Sequence, residues 1–362
     1  MIFTITILKE EQKMSSTTQN INLAQNSSGI LSWLTGKGER KYSAKVTKPF
    51  WVIVEKEISD QVRSWRFVIL LTIIALTTLG SLYTALTNIN DALKAVTDPE
   101  KAFLFLKLFT YSDGTLPSFI VFVSFLGPLL GIGLGFDAVN SEQNRGTLSR
   151  ILAQPIHRDY VINAKFIASL IVIGFLFFAL GFLVMGIGMI ATGLTPTPEE
   201  FVRIIFFLFV NVLYVGFWLN LSIFFSVKFK QPATSALTGI SVWIFFSIFY
   251  SMIVNLIMKA IASPALLINP AYQIYLERIK LALMRFAPNV LFSEATSTLM
   301  MPSVRSLGPL TMEQLSGAIP GPLPLSQSLL LVWPHITALI AASVVCFVLA
   351  YVPFMRREIR SR

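Results

Sequence analysis

Six long apolar runs constrain this chain more than any other feature of its sequence. They cover residues 67–87, 118–136, 166–192, 204–227, 236–258 and 329–351, and a helix needs about 20 such residues to cross the hydrocarbon of a bilayer. Only 13% of the 362 residues are charged and 54% are apolar, whereas soluble domains carry about 25% charged residues. Because no water is present in a bilayer to satisfy free backbone groups, these runs predict six transmembrane helices in an all-α integral membrane protein.

The basic residues predict how the spans are oriented, because Lys and Arg are retained on the cytoplasmic side of a membrane. With the N-terminus inside, the cytoplasmic segments hold 20 of the 29 Lys and Arg residues, and the outer segments, of similar total length, hold nine. We therefore expect a multi-pass protein of the plasma (inner) membrane with both termini in the cytoplasm. This topology accounts for the net charge of +10, and we expect no nucleic-acid partner.

The segment before the first run has two parts. Residues 1–48 begin with MIFTITIL, which is too short and too poorly flanked for a signal peptide, and the following SSTTQNINLAQNSSG is polar with no helical or strand period. We therefore expect a disordered cytoplasmic tail, in which Met14 is an alternative start. Residues 49–66 repeat apolar side chains every three or four positions and place charged ones between them, which predicts an amphipathic helix. Its apolar face comprises Trp51, Val54, Ile58, Val62 and Trp65. A helix of this kind that leads into a span should lie in the membrane interface, in contact with lipid; a helix of a small soluble domain is the alternative.

A short charged passage, residues 137–165, separates the second and third runs: DAVNSEQNRGTLSRILAQPIHRDYVINAK. Its first part continues the second span as a charged helix end, in which Glu142 and Arg145 have the spacing of an i,i+3 ion pair. Gly146 is expected to end that helix. The second span therefore extends beyond the bilayer before the chain turns.

The second part of this passage predicts a short helix between two breaks. Thr147 is expected to cap a helix over residues 148–154, which Pro155 stops, and Asp159 is expected to cap the third span. Gly and Ser would serve better if the connector had only to be flexible. The passage therefore indicates a rigid cytoplasmic elbow that transmits force or position, with a solvated connector as the alternative.

The elbow resembles the cytoplasmic coupling loop of the type-2 ABC exporter permeases, particularly the branch described as involved in multicopper enzyme maturation. The shared pattern is a charged E-x-x-x-G-T-L helix, a P-x-x-R turn and a Lys at the start of the following span. It is carried by Glu142, Gly146, Thr147, Leu148, Pro155, Arg158 and Lys165. The helix EKEISDQVRSWR and the six-span layout extend the resemblance over most of the chain after Pro49.

This resemblance implies a permease that pairs with a second permease, the same or homologous, and docks two ABC ATPase subunits, which bind ATP and magnesium. The implied ATPase-coupling residues are Glu142, Arg145, Gly146, Thr147, Leu148, Ile151, Leu152, Pro155, Arg158 and Lys165. The apolar face of the elbow helix, Leu148, Ile151 and Leu152, would fill a groove on the ATPase. The sequence contains no G-x-x-x-x-G-K-[ST] phosphate loop, so we expect a transporter subunit that binds no cofactor and is not itself an enzyme.

Three glycines on the second span form two overlapping G-x-x-x-G steps: Gly127, Gly131 and Gly135. Such steps let another helix approach closely. Packing within the chain and dimerisation are equally compatible with this pattern.

The outer segment, residues 259–328, is about 70 residues long and departs from the resemblance. It contains two short amphipathic patterns, NPAYQIYLERIKLALMRFAP and NVLFSEATSTLM, which we expect on the outer leaflet as a lid or as re-entrant helices; a flexible insert is the alternative. The remaining parts are the first five spans, within 67–258, and the last span with its basic cytoplasmic tail, 329–362.

Metal binding and other membrane functions are disfavoured. His335, near the outer end of the sixth run, is expected to be interfacial, and two His with one Cys cannot assemble a zinc or copper site. None of the six runs contains Asp, Glu, Lys or Arg, which argues against a secondary transporter. A membrane anchor or scaffold without transport stays open.

Overall fold

The computed structural model describes residues 49–95, 103, 105–112, 114, 116–154, 156–193, 195–263, 269–304, 307 and 322–356, except for the side chains of residues 88–95 and 152. The regular structure of these residues is helical. Six helical segments are long and apolar enough to span a membrane, and they coincide with the six predicted runs. An all-α membrane protein is thus confirmed, while the expected tail, 1–48, lies outside the described residues.

The six spans are longer than the apolar runs from which they were predicted. In order they are α2 (Trp65–Ala95), α4 with α5 (Phe119–Gly135 and Asn140–Asn144), α7 (Arg158–Thr192), α8 (Pro198–Lys228), α9 with α10 (Pro232–Ile244 and Tyr250–Ile261), and α13 (Leu325–Arg356). A π-helical segment, Phe245–Phe249, joins α9 to α10. The other helices are α1 (Pro49–Val62), α3 (Lys107–Thr110), α6 (Thr147–Leu152), α11 (Pro270–Met284) and α12 (Pro288–Met300). We call the end that carries α6 the elbow end, and the opposite end the hairpin end.

Span 4, α8, is the centre of the bundle and packs against spans 2, 3 and 6. Of its most apolar window, 67% is buried inside the protein, compared with 11% for span 5. Its N-terminus is fixed by a capping box in which Thr197 and Glu200 satisfy each other's backbone N–H groups, with Pro198 in the first turn. Span 4 is therefore a buried scaffold, whereas span 5 presents most of its apolar surface outward.

The three glycines of span 2 pack against span 4 of the same chain. A Cβ atom at Gly131 would lie 2.7 Å from the Val215 carbonyl oxygen, and one at Gly135 would lie 2.9 Å from the Leu219 carbonyl oxygen. At Gly127 it would lie 2.9 Å from a methyl group of Val215. This approach leaves no room at the same face for a helix of a second chain.

The amphipathic helix is shorter than predicted, and its inward face is rotated. It ends at Val62, and span 1 starts at Trp65, so residues 49–66 are not one helix. Val54 is buried with Ala164 and Ala168 of span 3. Trp51, Val62 and Trp65 are 53%, 45% and 79% exposed. The predicted apolar face therefore divides between contact with span 3, which Val54 and Ile58 make, and the exposed surface.

The segment between spans 5 and 6 forms a helical hairpin that runs along the spans. The Tyr250 hydroxyl of α10 donates to the Leu283 carbonyl of α11 over 2.7 Å, while α12 packs against spans 2, 4 and 6. Phe292 of α12 stacks on Tyr214 of span 4 with ring centroids 4.2 Å apart. This packing ties the segment to the spans, and its expected place on the outer leaflet, as a lid or as re-entrant helices, stays a prediction.

Candidate functional site

The elbow end holds a buried network of ion pairs centred on Lys165, the first polar residue before the third apolar run. Its Nζ lies 2.9 Å from Glu57 Oε2 of α1 and 2.8 Å from Glu142 Oε1 of α5. The Lys165 side chain is 4% exposed, and the two carboxylate side chains are 10% and 14% exposed. Because a buried charge is tolerated only when it is paired, Lys165 fastens the amphipathic helix and the end of span 2 to span 3.

Lys56 completes the network at its solvent side. Its Nζ lies 3.0 Å from Glu57 Oε1, 3.3 Å from Asp60 Oδ2 and 3.7 Å from Glu142 Oε1. Burial alone would raise the pKa of Glu57, but the ammonium groups of Lys165 and Lys56 outweigh it and lower that pKa. Burial would lower the pKa of Lys56, yet the neighbouring carboxylates, Glu57 first among them, raise it. Glu57 and Lys56 are thus held in their charged forms at neutral pH.

Two further contacts bind the start of span 1 and α1 to their neighbours. Arg66 Nη1 lies 2.7 Å from Asp137 Oδ2, and its guanidinium lies 5.0 Å from the centre of the Phe136 ring. Gln61 Nε2 donates to Ser169 Oγ of span 3 over 2.6 Å. The amphipathic helix is therefore tied to spans 2 and 3 by polar contacts as well as by Val54.

Span 2 breaks between α4 and α5, and span 4 stabilises this break. The backbone N–H groups of Val139 and Asn140 donate to Ser226 Oγ over 2.9 and 3.2 Å. Asn144 Nδ2 donates to the Lys230 carbonyl over 3.0 Å. Because orphan N–H groups at a helix start need acceptors, Ser226 fixes the direction in which the elbow leaves the bundle.

The elbow itself follows the predicted plan, with shifted boundaries. Gly146 adopts a left-handed conformation, with φ of 69°, and directly precedes α6. Thr147 is the first residue of that helix instead of its cap, and its hydroxyl donates to the Glu142 carbonyl over 3.2 Å. His157, not Asp159, is the cap residue of span 3. Pro155 lies outside the described residues.

Two expectations about the elbow side chains are wrong. Glu142 contacts Lys165 and Lys56, so its predicted pairing with Arg145 is replaced by contacts to α1 and span 3. Leu148 is 4% exposed and belongs to the main core, so it faces the permease and cannot fill an ATPase groove, while Ile151 is half-buried against the same core. The side chain of Leu152 is outside the described residues.

The surface that the elbow exposes is polar and basic. Its exposed residues are Asn144, Arg145, Gly146, Arg150, Ala153, Gln154, His157 and Arg158. Three arginines thus stand on the elbow where an apolar docking face was expected. The buried leucine explains the difference: a helix of six residues that lies on a membrane bundle uses its apolar side to hold itself in place.

The partner of Lys165 on α1 was missed by sequence reasoning. Val54, Glu57, Ile58 and Gln61 follow one another at helical spacing, and each of them contacts span 3 or a residue on it. The sequence did contain one signal. Glu57 and Gln61 follow Val54 by three and seven positions, which places them on the same helical face as this apolar residue, and Val54 is buried. Nothing else near Glu57 in the sequence marks it as buried, since a buried carboxylate is expected only beside a cation and its cation, Lys165, lies on another helix.

The hairpin end contains a second set of buried charged residues, which the positions of the apolar runs did not predict. Arg203 is completely buried, and donates to the Leu299 carbonyl over 3.0 Å and to the Leu323 carbonyl over 2.6 Å. It also lies 2.9 Å from Glu199. Arg203 lies just before the fourth apolar run, where the sequence predicts an exposed helix start. Its i,i+4 spacing from Glu199 was the one local indication that it forms an ion pair.

His335, which was expected at the membrane interface, is buried inside the protein. Its Nε2 lies 2.6 Å from Glu294 Oε2 of α12, which also accepts from Arg285 Nε over 2.8 Å. Burial alone would raise the pKa of Glu294, but the hydrogen bonds from His335 and Arg285 outweigh it and lower that pKa. This contact holds the hairpin against span 6. Within the described residues, no group of three or more His, Cys, Asp or Glu side chains is placed to hold a metal ion.

The described residues thus form a six-span membrane protein in which an amphipathic helix and a short elbow helix are joined to span 3 by a buried ion-pair network. Comparison with known families agrees. The model of the ABC-2 family transporter proteins matches residues 51–359, and the chain belongs to that family. It is accordingly the membrane permease component of an ABC transporter, that is, a transporter subunit rather than an enzyme, and permeases of this family in general work with an ABC ATPase. No significant match was found among curated proteins.

Proposed function

We propose that this chain is the permease of an ABC exporter, in the multicopper-enzyme-maturation-like branch, and that it couples ATP hydrolysis by a separate subunit to substrate movement. The observation that carries the proposal is the Lys165 network, in which Glu142 of the elbow and Glu57 of the amphipathic helix share one buried cation. A connector that only had to be flexible would not need buried charges. If one partner of a buried ion pair is lost, the charge that is left costs about 3 to 5 kcal/mol of stability.

The network suggests how a push on the elbow reaches the spans. ATP and magnesium, bound by two ATPase subunits, would draw these subunits together beneath the membrane and displace α6. Because Lys165 lies at the start of span 3, displacement of Glu142 would be transmitted to that span and, through Glu57, to α1. Ser226 would carry it to span 4 as well. The spans would then tilt to alternate access between the two sides.

The proposed docking surface is the exposed basic face of the elbow, Arg145, Arg150 and Arg158, with an acidic surface on the ATPase. This replaces the apolar docking face that the sequence indicated. It also requires the elbow and both termini to lie in the cytoplasm and the spans to cross the plasma (inner) membrane, as the basic residues indicate.

The active assembly is proposed to contain two permeases, the same or homologous, with one ATPase docked on each. Span 5 supports this stoichiometry, because only 11% of its apolar window is buried within the chain. Leu237, Met252 and Leu256 are 64%, 62% and 68% exposed on it. A second permease could cover part of this face, and lipid would cover the remainder.

Charge reversal on the elbow tests this proposal. Arg150→Glu together with Arg158→Glu should lower the amount of ATPase that co-purifies with the permease at least tenfold, because each reversal turns an attraction into a repulsion of about 1 kcal/mol or more. The matched control is Lys259→Glu with Arg278→Glu, two exposed cations at the hairpin end. Full retention of the ATPase by the elbow variant, or equal loss in both variants, would contradict docking at the elbow.

A further inference from the structure

A groove of about 410 Å³ lies at the hairpin end, between the last part of span 5 and α11. One of its walls is formed by α10 and the other by α11. The residues that line it are Asn255, Met258, Lys259, Ala262, Leu276, Glu277 and Lys280. The groove therefore combines apolar side chains, an amide and charged side chains of both signs, at the opposite end of the bundle from the elbow.

Contacts between α10 and α11 hold the two walls of the groove together. The Tyr272 hydroxyl accepts from the Ser263 N–H over 3.1 Å, and the hydrogen bond between α10 and α11 described above holds the other end of the helix pair. Between these two bonds, Val254, Met258 and Leu276 form a buried apolar cluster. The shape of the groove thus follows from the packing of the hairpin, and Met258 and Leu276 form its apolar floor.

The charges that line the groove do not balance. Lys280 Nζ lies 3.5 Å from Glu277 Oε1, and these two side chains are 34% and 47% exposed. Lys259 is exposed and forms no ion pair within the described part of the chain. Two ammonium groups therefore share one carboxylate, and all three groups can be reached from outside. The excess of positive charge favours an anion.

The position of Lys259 indicates the depth of the groove in the membrane. This residue directly follows the fifth apolar run, 236–258, where hydrocarbon gives way to headgroups. A Lys at such a position extends its ammonium group toward the headgroups while its methylene chain stays in apolar contact. Toward the middle of the membrane, span 5 is apolar and mostly exposed, since 11% of its apolar window is buried. A lipid with its chains along span 5 would therefore present its phosphate to the groove.

We propose that this groove binds an anionic phospholipid. The lipid phosphate contacts the ammonium groups of Lys259 and Lys280, and the Asn255 amide is a further donor. The acyl chains leave the groove along the part of span 5 that lipid covers. A zwitterionic lipid fits less well, because its own cation offsets the charge that the groove attracts. The exposed residues of span 5 that support a second permease do not line the groove, so the two proposals are independent.

Native mass spectrometry of the full-length protein in detergent measures this binding. Phosphatidylglycerol and phosphatidylcholine with the same acyl chains are added separately. We expect phosphatidylglycerol to bind about fivefold more tightly, because one additional ion pair at a partly exposed site contributes a factor of this order. Excess inorganic phosphate should not displace the lipid, since it has no acyl chains. Equal binding of the two lipids would refute the proposal, and displacement by phosphate would show a site for a simple anion instead of a lipid.

Three variants test whether the groove is the site, and two of them should act in opposite directions. Lys259→Gln should remove most of the preference for phosphatidylglycerol, whereas Glu277→Gln removes the competing carboxylate and should increase the preference about fivefold. Arg278→Gln is the matched control, since Arg278 is an exposed cation of α11 that does not line the groove. It should leave the preference unchanged.

The opposite signs distinguish lipid binding from a structural role, because damage to the hairpin would weaken binding in both groove variants. A preference that survives Lys259→Gln, or that falls equally in Lys259→Gln and Arg278→Gln, would refute the groove as the site. A fall in Glu277→Gln would likewise contradict the proposal, since it would mean that this carboxylate supports binding instead of opposing it.

Discussion

At the residue scale, the elbow network depends on one lysine with two buried carboxylate partners. Glu142 and Lys165 were predicted as members of a coupling site from their pattern, and the structure brings them within 2.8 Å. Glu57 could not be predicted as the third member, since it is 108 positions away in the chain. Sequence spacing also predicted Arg145 as the partner of Glu142, because an i,i+3 pair can be recognised from neighbouring residues. The burial of Glu142 against span 3 depends on how the helices pack, which spacing does not show.

The pKa of Glu57 makes this network sensitive to acid. Its pKa is lower in the folded protein than its ordinary value of 4.5, so its ion pairs contribute fully to stability above that value. The contribution is lost as the pH falls through the folded pKa. Glu57→Gln should therefore destabilise the protein by about 1 to 3 kcal/mol at neutral pH and lower its thermal unfolding midpoint. Because the variant has no carboxyl group to protonate at this position, its midpoint should fall less than that of the unchanged protein when the pH is lowered.

Thermal unfolding in detergent between pH 7 and pH 4 measures both effects, and Glu55→Gln is the control. Glu55 is an exposed glutamate of the same helix, so its substitution should change the midpoint little at any pH. If the two variants showed the same midpoints and the same acid dependence, Glu57 would not stabilise the fold through its ion pairs.

At the scale of helices, hydropathy predicted each span because membrane thickness fixes the length of an apolar run. Hydropathy did not predict which face of a helix contacts other helices and which contacts lipid, since both faces are apolar. Leu148 and His335 show this limit, as both were assigned to surfaces and both are buried. The glycine steps were ambiguous for the same reason: a close approach is predicted by small residues, but its partner is not.

The contact between spans 2 and 4 gives a prediction with a matched control. Gly131→Ala should destabilise the protein by about 1 to 3 kcal/mol, because its methyl group would lie 2.7 Å from the Val215 carbonyl oxygen. Gly174→Ala on span 3 has no atom within 4 Å of the added carbon and removes a flexible residue from a helix, so it should be neutral or stabilising by up to about 1 kcal/mol. Thermal unfolding of both variants in detergent compares them. Equal tolerance of the two alanines would mean that span 2 does not approach span 4 this closely.

At the scale of the whole molecule, span 4 joins two polar ends that must lie on opposite sides of a membrane. The elbow end holds the Lys165 network, and the hairpin end holds Arg203 and the contact of Glu294 with His335. Six spans place the elbow, after the second, and the hairpin, after the fifth, on opposite sides whatever the orientation. Helix packing cannot say which side is the cytoplasm, because that choice is made by the charged segments during insertion.

Accessibility of two matched alanines determines the orientation. Ala153 lies on the elbow and Ala271 at the start of the hairpin, and both are exposed. In a background with Cys346→Ala, Ala271→Cys should react with a membrane-impermeant maleimide in intact cells, and Ala153→Cys should react only after the membrane is opened. The expected pattern follows from the excess of basic residues, 20 of 29, on the side of the elbow. The reverse pattern would place the elbow outside, where no ATPase could reach it, and would overturn both the topology and the coupling proposed for Lys165. Labelling of both positions in intact cells would instead mean that the chain does not cross the membrane an odd number of times between them, in conflict with the six spans.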